Sequence, residues 1–323
     1  MFDINNSLHE FSQIIKNFDK VNIEEIEPTT GNIKKDIFEG DLNIVVEELI
    51  ILIFNNHNEG ENERIIKQYV LEHITKNKII SQEFYNYLLN SQNNSNSIYL
   101  LGYFNYHGIG TVFNIQKAIE LYKKASELEN KVAQLNLSEI IICVADAENN
   151  DGLAFKLSKK LADKGYPGGL NNLGWCYEHG IGVDANEEKA FELYQKAADL
   201  GNSNGINNLG WCYNYGIGTY INVQEAFELF QIAAYLGNTH GISSLGNCYH
   251  NGVGTNVNEQ KAFELYLMAA NLENDCAQYN IAKMYENGYG TKKDMDQASY
   301  WYKKSAEHGY LPAQDKLNEL LEE

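Results

Sequence analysis

From position 118 towards the C-terminus, every thirty-sixth residue is alanine: Ala118, Ala154, Ala190, Ala226, Ala262 and Ala298. A constant period without insertions does not fit one closed globular core. It predicts a stack of equivalent units, each burying a face on the next. Further columns keep the same register. Asn114, Asn150, Asn186, Asn222, Asn258 and Asp294 form one, and Ser126, Ala162, Ala198, Ala234, Ala270 and Ala306 form a column of small residues. Gly102, Gly174, Gly210 and Gly246 align in a third, completed by Ser138 and Ala282.

The unit Gly168–Ser203 shows what repeats. Leu170, Leu173 and Tyr177 have the spacing of one helix face, and Gly174 lets a neighbouring helix approach; this is helix A. Gly180 and Gly182 follow, and glycine past a helix end closes the last turn without a Cβ clash. The pair recurs as Gly108/Gly110, Gly216/Gly218, Gly252/Gly254 and Gly288/Gly290. Asn186 stands at the N-cap of helix B, which carries Ala190, Leu193, Tyr194, Ala197 and Ala198 on one side. Gly201 ends that helix. The expected fold is all-α, an α-solenoid (α/α superhelix) of helical-hairpin repeats.

The motif L-G-x-x-Y-x-x-G-x-G followed by K-A-x-x-x-Y-x-x-A-A-x-x-G stands here as Leu173, Gly174, Tyr177, Gly180, Gly182, Lys189, Ala190, Tyr194, Ala197, Ala198 and Gly201. It resembles the Sel-one-like repeat, a relative of the tetratricopeptide repeat. The likeness covers six repeats over residues 97–310. The second, near 132–167, is degenerate: it lacks the glycine pair, so its A/B turn is expected to differ. Residues 311–323 read as a capping helix, with Ala313, Leu317, Leu320 and Leu321 on one face.

Residues 1–96 read as an N-terminal helical region. Helices are expected over Ser7–Phe18, Leu42–Phe54, Glu63–Thr75 and Ser81–Leu89, with a linker near 21–33. The apolar run Leu49–Phe54 is too short to cross a bilayer, and no signal peptide is recognisable at the start. Cys176, Cys212 and Cys248 occupy equivalent places in successive units. Helices roughly 8 to 10 Å apart hold such residues beyond the ~7 Å Cα separation of a disulfide. They read as packing residues in a reducing, cytoplasmic compartment.

A net charge of -19 argues against nucleic acid. Residues 1–96 hold 16 acidic and 8 basic side chains, so both parts share the excess. Arg64 is the only arginine, which disfavours bidentate phosphate clamping in the repeats. A basic or neutral protein partner fits better. The Gly-x-Gly loops recur between helices and lack a following Gly-Lys-Ser/Thr, unlike a phosphate loop. His107 and His179 share a column at helix C-termini, where a partly cationic ring is favoured, and positions in separated units do not converge on a metal. No catalytic set, cofactor or metal site is expected.

In tetratricopeptide-like solenoids the A helices line the concave surface, and the resemblance implies the same here. The candidate partner-binding residues are Tyr99, Tyr103, Asn171, Trp175, Asn207, Trp211, Asn247, His250 and Tyr279. Aromatic side chains on a polar face are candidate anchors, and a ladder of asparagines could hold an extended peptide backbone. The alternative for Trp175 and Trp211 is packing on the adjacent A helix. Trp301 shares a column with Leu193, Leu229 and Leu265 and is expected in the core. The functional expectation is a non-catalytic scaffold or adaptor for a protein or peptide. The resemblance implies roles in signalling or degradation complexes or in regulating fungal-type cell-wall synthases. One alternative is a regulatory partner or remnant of a protein kinase module, although H-R-D and D-F-G elements are absent. A repeat-type hydrolase would need paired cysteines within each repeat, which are also absent.

Overall fold

The computed structural model describes residues 39–143 and 151–322, and among them every regular element is a helix. The expected helix Ser7–Phe18, the linker near 21–33 and the A/B turn of the second repeat lie outside the described residues. Three helices come first: α1 (Glu39–Glu59), α2 (Glu63–Lys76) and α3 (Ser81–Asn90). Six A/B hairpins follow. They are α4 (Ser95–His107) with α5 (Ile115–Glu127), α6 (Lys131–Cys143) with α7 (Asp151–Ala162), and α8 (Pro167–His179) with α9 (Glu187–Asp199). The remaining three are α10 (Ser203–Tyr215) with α11 (Val223–Tyr235), α12 (Thr239–Asn251) with α13 (Glu259–Asn271), and α14 (Asp275–Asn287) with α15 (Met295–Glu307). The last helix, α16 (Leu311–Glu322), buries Ala313 and half-buries Leu317. The described chain forms two compact units, residues 39–205 and 206–322. The first three repeats therefore share a unit with α1, α2 and α3.

The conserved-size column has a steric cause. A Cβ at Gly174 would lie 2.8 Å from the ring of Tyr194, on the B helix of the same hairpin, and Gly102 stands likewise against Tyr122. In the second unit Gly210 faces Phe230 at 2.6 Å and Gly246 faces Tyr266 at 3.0 Å. These four hairpins thus close by setting an aromatic ring against a bare stretch of helix A; the second repeat has Ser138 and Ser158 at the two places, and the sixth has Ala282 facing the position of Tyr302. These rings, with Ala190, Ala197, Ala226, Ala262 and Ala269, are buried.

Helix ends are tied by two asparagine columns. The expected one starts the B helices: the Oδ1 of Asn114, Asn186 and Asn258 accepts from the amides of Lys117, Lys189 and Lys261. The other starts the A helices, where Asn130, Asn202, Asn238 and Asn274 accept from Ala133, Gly205, Gly241 and Ala277. Such caps contribute about 0.5–2 kcal/mol each. Asn130, Asn202, Asn238 and Asn274 keep the 36-residue register of the sequence.

The second loop glycine does more than end a helix. Gly182 has φ +67°, and a Cβ there would overlap the carbonyl oxygen of Asp151, where the preceding B helix begins. Gly254 and Gly290 stand in the same way against Val223 and Glu259. Gly110 meets Ser81, so α3 takes the place that a B helix would hold before the first hairpin.

Gly182→Ala should therefore lower stability in urea denaturation by more than about 2 kcal/mol, from left-handed strain plus the backbone overlap. Gly152→Ala, on helix α7 with open space around it, should be neutral or stabilise by up to about 1 kcal/mol.

Candidate protein-interaction surface

Helix α1 packs against α4, α6 and α8, the A helices of the first three repeats. Its sequence is suited to this. Val45, Val46, Leu49, Ile50, Ile53, Phe54, His57 and Asn58 recur at helical spacing and are all buried. Ile44, Glu47, Glu48, Ile51, Asn55 and Glu59 on the other side are exposed. Twenty-one residues of helix make about 30 Å, enough to cross three A helices spaced 8–10 Å apart. Phe54 meets Tyr166 edge-on with ring centroids 5.0 Å apart, and the Lys131 ammonium sits 3.9 Å above its ring.

Polar side chains latch the end of α1. The Gly168 amide donates to Asn58 Oδ1 (3.2 Å), and Asn202 Nδ2 donates to the Asn58 carbonyl (2.8 Å). Ser203 Oγ donates to the Gly60 carbonyl (2.9 Å). His57 lies within 2.9 Å of Asn136 Nδ2, 3.2 Å of Glu63 and 3.5 Å of Glu139. Glu63 also meets His107 Nε2 at 2.6 Å. These contacts carry α1 past the expected end at Phe54 to Glu59. Burial acts to raise the Glu63 carboxyl, but His57 and His107 outweigh it and hold the group below the usual carboxylate range. Burial raises Glu139. Among the described residues, no group of histidine, cysteine and acidic side chains has the arrangement of a metal site.

This helix corrects two expected surface residues. Tyr99 and Tyr103 are fully buried, in the same apolar cluster as Val46, Leu49 and Ile53. Tyr99 also stacks on Tyr122, and its hydroxyl donates to Asn136 Oδ1 (2.7 Å). They cannot anchor a partner while α1 is seated. On the third repeat, Asn171 is half-buried and donates to Asn172 Oδ1 (3.3 Å). Trp175 is half-buried, its ring stacked on His179 at 4.1 Å. Of the candidate asparagines, buried Asn207 accepts from Ser244 Oγ (2.9 Å), while Asn172, beside Asn171, donates to Ser138 Oγ (3.1 Å). Asn207 thus bridges adjacent A helices and is not free for a peptide backbone.

Within residues 206–322, Trp211 is half-buried. One side of it stacks on exposed Tyr215 at 5.4 Å and another touches Phe230 at 5.0 Å. Packing and exposure are therefore both real for this tryptophan. Asn247 is half-buried and hydrogen-bonds Asn251; His250 is half-buried and lies 2.8 Å from Glu259. Tyr279 is half-buried between Tyr302 and Tyr310, with Lys283 above its ring. Tyr279, Lys283, Glu286, Tyr302 and Lys316 line a cleft against the last helix. There the Tyr302 hydroxyl donates to Glu286 (2.6 Å), as Tyr194 does to Glu178 (2.7 Å) in the third repeat. Trp301 is buried, as its column predicted. Cys176, Cys212 and Cys248 are free and buried. Burial pushes the Cys176 thiol up to about 11 and the Cys248 thiol up to about 12.

Two outcomes follow from these environments. The advantage of the wild type over Glu63→Gln in chemical denaturation should be full at neutral pH and shrink as pH falls below the unfolded carboxylate value near 4.5, because a carboxyl with a depressed folded pKa loses its contribution on protonation. At pH 8, Cys176 and Cys248 should resist a thiol reagent in the native chain and react once it is unfolded.

The Sel1 repeat family matches at residues 95–130, 132–166, 167–202, 203–238, 240–274 and 277–310. No curated protein matches. Among solved structures, a Sel1 repeat protein from Oxalobacter formigenes is similar at 23% identity and TM-score 0.57, covering 72% of this chain and 93% of that one. That likeness shows the fold. The protective antigen c5321 of uropathogenic Escherichia coli, with an SLR fold, is similar at 27% identity and TM-score 0.49 over 74% of this chain and 51% of that one. Among the described residues no helix is long and apolar enough to cross a membrane. With six matched copies making up more than half its length, the chain belongs to the Sel1 repeat family.

Proposed function

We propose that this chain is an adaptor that holds a protein or peptide partner on the A-helix face of its later repeats, through Trp211, Asn247, His250 and Tyr279. Sel1 repeats generally act as protein-interaction scaffolds and form a typically non-catalytic fold. The observation that carries the finer reading is Trp211, a large aromatic left half-buried on an otherwise polar face, with Tyr215 stacked on it and exposed. Such a residue offers much area at little entropic cost, the character of an interface anchor. Trp175 repeats the arrangement on the third repeat, with His179 as its stacking partner. The charge of -19 favours a neutral or basic partner surface overall. The free, buried cysteines support a reducing compartment.

Affinity enrichment from cells tests the reading, comparing the intact chain with a Trp175→Ala, Trp211→Ala double variant that keeps its helical circular dichroism. Loss of specific partners is the expected result, consistent with about 2 kcal/mol or more per anchor. Unchanged partners would remove the tryptophans from the interface.

A further inference from the structure

The B helices of the fourth and fifth repeats differ from the others on their solvent side. At two adjacent places the first, second and sixth repeats carry a lysine pair, Lys123–Lys124, Lys159–Lys160 and Lys303–Lys304, and the third has Gln195 and Lys196. The fourth has Gln231 and Ile232, and the fifth has Leu267 and Met268. Three residues beyond the second place, those four repeats are acidic, at Glu127, Asp163, Asp199 and Glu307, whereas the fourth has Tyr235 and the fifth Asn271. The fold does not ask for this change. In the sixth repeat, within the same compact unit, Lys304 fits the place with its ammonium over the rings of Tyr300 and Trp301. Ile232 in that place is 44% exposed, Tyr235 and Leu236 are 51% and 43% exposed, and Met268 is half-buried. Apolar and aromatic side chains left in water where the repeat otherwise carries charge have the composition of an interface centre.

The charges that remain describe what covers the patch. Glu228, Ile232 and Tyr235 share one face of α11 at i, i+4 and i+7, and Glu264, Met268 and Asn271 repeat that spacing on α13. In the first and third repeats the equivalent Glu120 and Glu192 stand four residues before Lys124 and Lys196, the spacing of a helical ion pair. In the fourth and fifth that lysine is replaced. Glu228 and Glu264 are exposed and accept hydrogen bonds from the neutral amides of Gln224 (3.0 Å) and Gln260 (3.1 Å). Between Lys196 and Lys261 the chain holds no lysine or arginine, and the Lys261 ammonium sits over the Tyr249 ring.

We infer that the solvent side of α11 and α13 binds a partner protein through an apolar patch of that partner bordered by lysine or arginine. The partner's cations take beside Glu228 and Glu264 the places that Lys124 and Lys196 take beside their glutamates. A second copy of this chain fits poorly, because it brings another charge of -19 and the same carboxylates. The site lies on B helices, so it adds a contact to the A-helix reading and does not depend on it.

The test uses the full chain and two synthetic amphipathic helices of about 18 residues, one with leucine on one face and lysine on the other, one with glutamate in place of lysine. Two double variants that keep their helical circular dichroism are compared: Ile232→Gln with Met268→Gln, which leaves the charge unchanged, and Glu228→Gln with Glu264→Gln. Affinity is read by titration, and its place by hydrogen exchange. The lysine peptide should bind with protection of α11 and α13, at least about tenfold more tightly than the glutamate peptide, and each double variant should weaken it at least about tenfold. Binding that ignores the Ile232, Met268 variant, or protection elsewhere, overturns the inference, since overall negative charge then holds the peptide. Equal binding of the glutamate peptide, or indifference to the Glu228, Glu264 variant, overturns the basic partner. A concentration-dependent dimer in sedimentation that the Ile232, Met268 variant abolishes overturns it in favour of a second copy. The Trp175→Ala, Trp211→Ala variant should bind the lysine peptide unchanged, so failure of the A-helix reading and failure of this one are told apart.

Discussion

Four of the six hairpins depend on an aromatic ring meeting a helix that has no side chain in its way, at Gly102, Gly174, Gly210 and Gly246. Tyr194 on Gly174 and Tyr266 on Gly246 set the distance between helix A and helix B, and that distance sets how the next hairpin can be received. Alanines at Ala190, Ala197, Ala262 and Ala269 fill what little space remains. Because the contact is local, within about twenty residues of chain, it can be repeated without any long-range template. The loop glycines then press each turn onto the start of the preceding B helix, as Gly182 does on Asp151.

A stack built this way presents a face of A helices, and what covers that face is decided separately from what builds it. In residues 39–205 the cover is the chain's own α1. Its apolar stripe is continuous from Val45 to Phe54 and finishes in polar contacts from Asn58, Asn202 and Ser203. Anchoring of this kind combines non-directional burial with a few directional bonds, so the helix has both affinity and register. His57, Glu63, His107 and Glu139 add ion pairs to the seat, with the Glu63 carboxyl held below its usual range by the two histidines. In residues 206–322 the equivalent column holds Trp211, Asn247 and Lys283, which are half-buried or exposed.

The repeat architecture was legible because its signals are short-range and multiplied. One Asn186 before a helix is weak evidence for a cap; the same residue type at Asn114, Asn222 and Asn258 is strong, and all four accept the predicted amide bond. The core place of Trp301 and the packing role of Cys176, Cys212 and Cys248 were read the same way. The candidate surface was legible only by column. Trp175, Trp211 and Tyr279 retain partial exposure. Tyr99 and Tyr103, in the same columns, do not, because their neighbours include a helix more than 40 residues upstream.

The sequence by itself determined the period, the hairpin, the caps and the loop closures, since each arises from contacts within one unit or between adjacent ones. Tertiary structure alone decided which part of the A-helix face is covered. The amphipathic pattern of residues 45–58 states that α1 must bury one side, but burial of apolar surface has no address. The place of α1 came from groups far from it in the chain: Asn136, Gly168, Asn202 and Ser203 meeting the end of one helix.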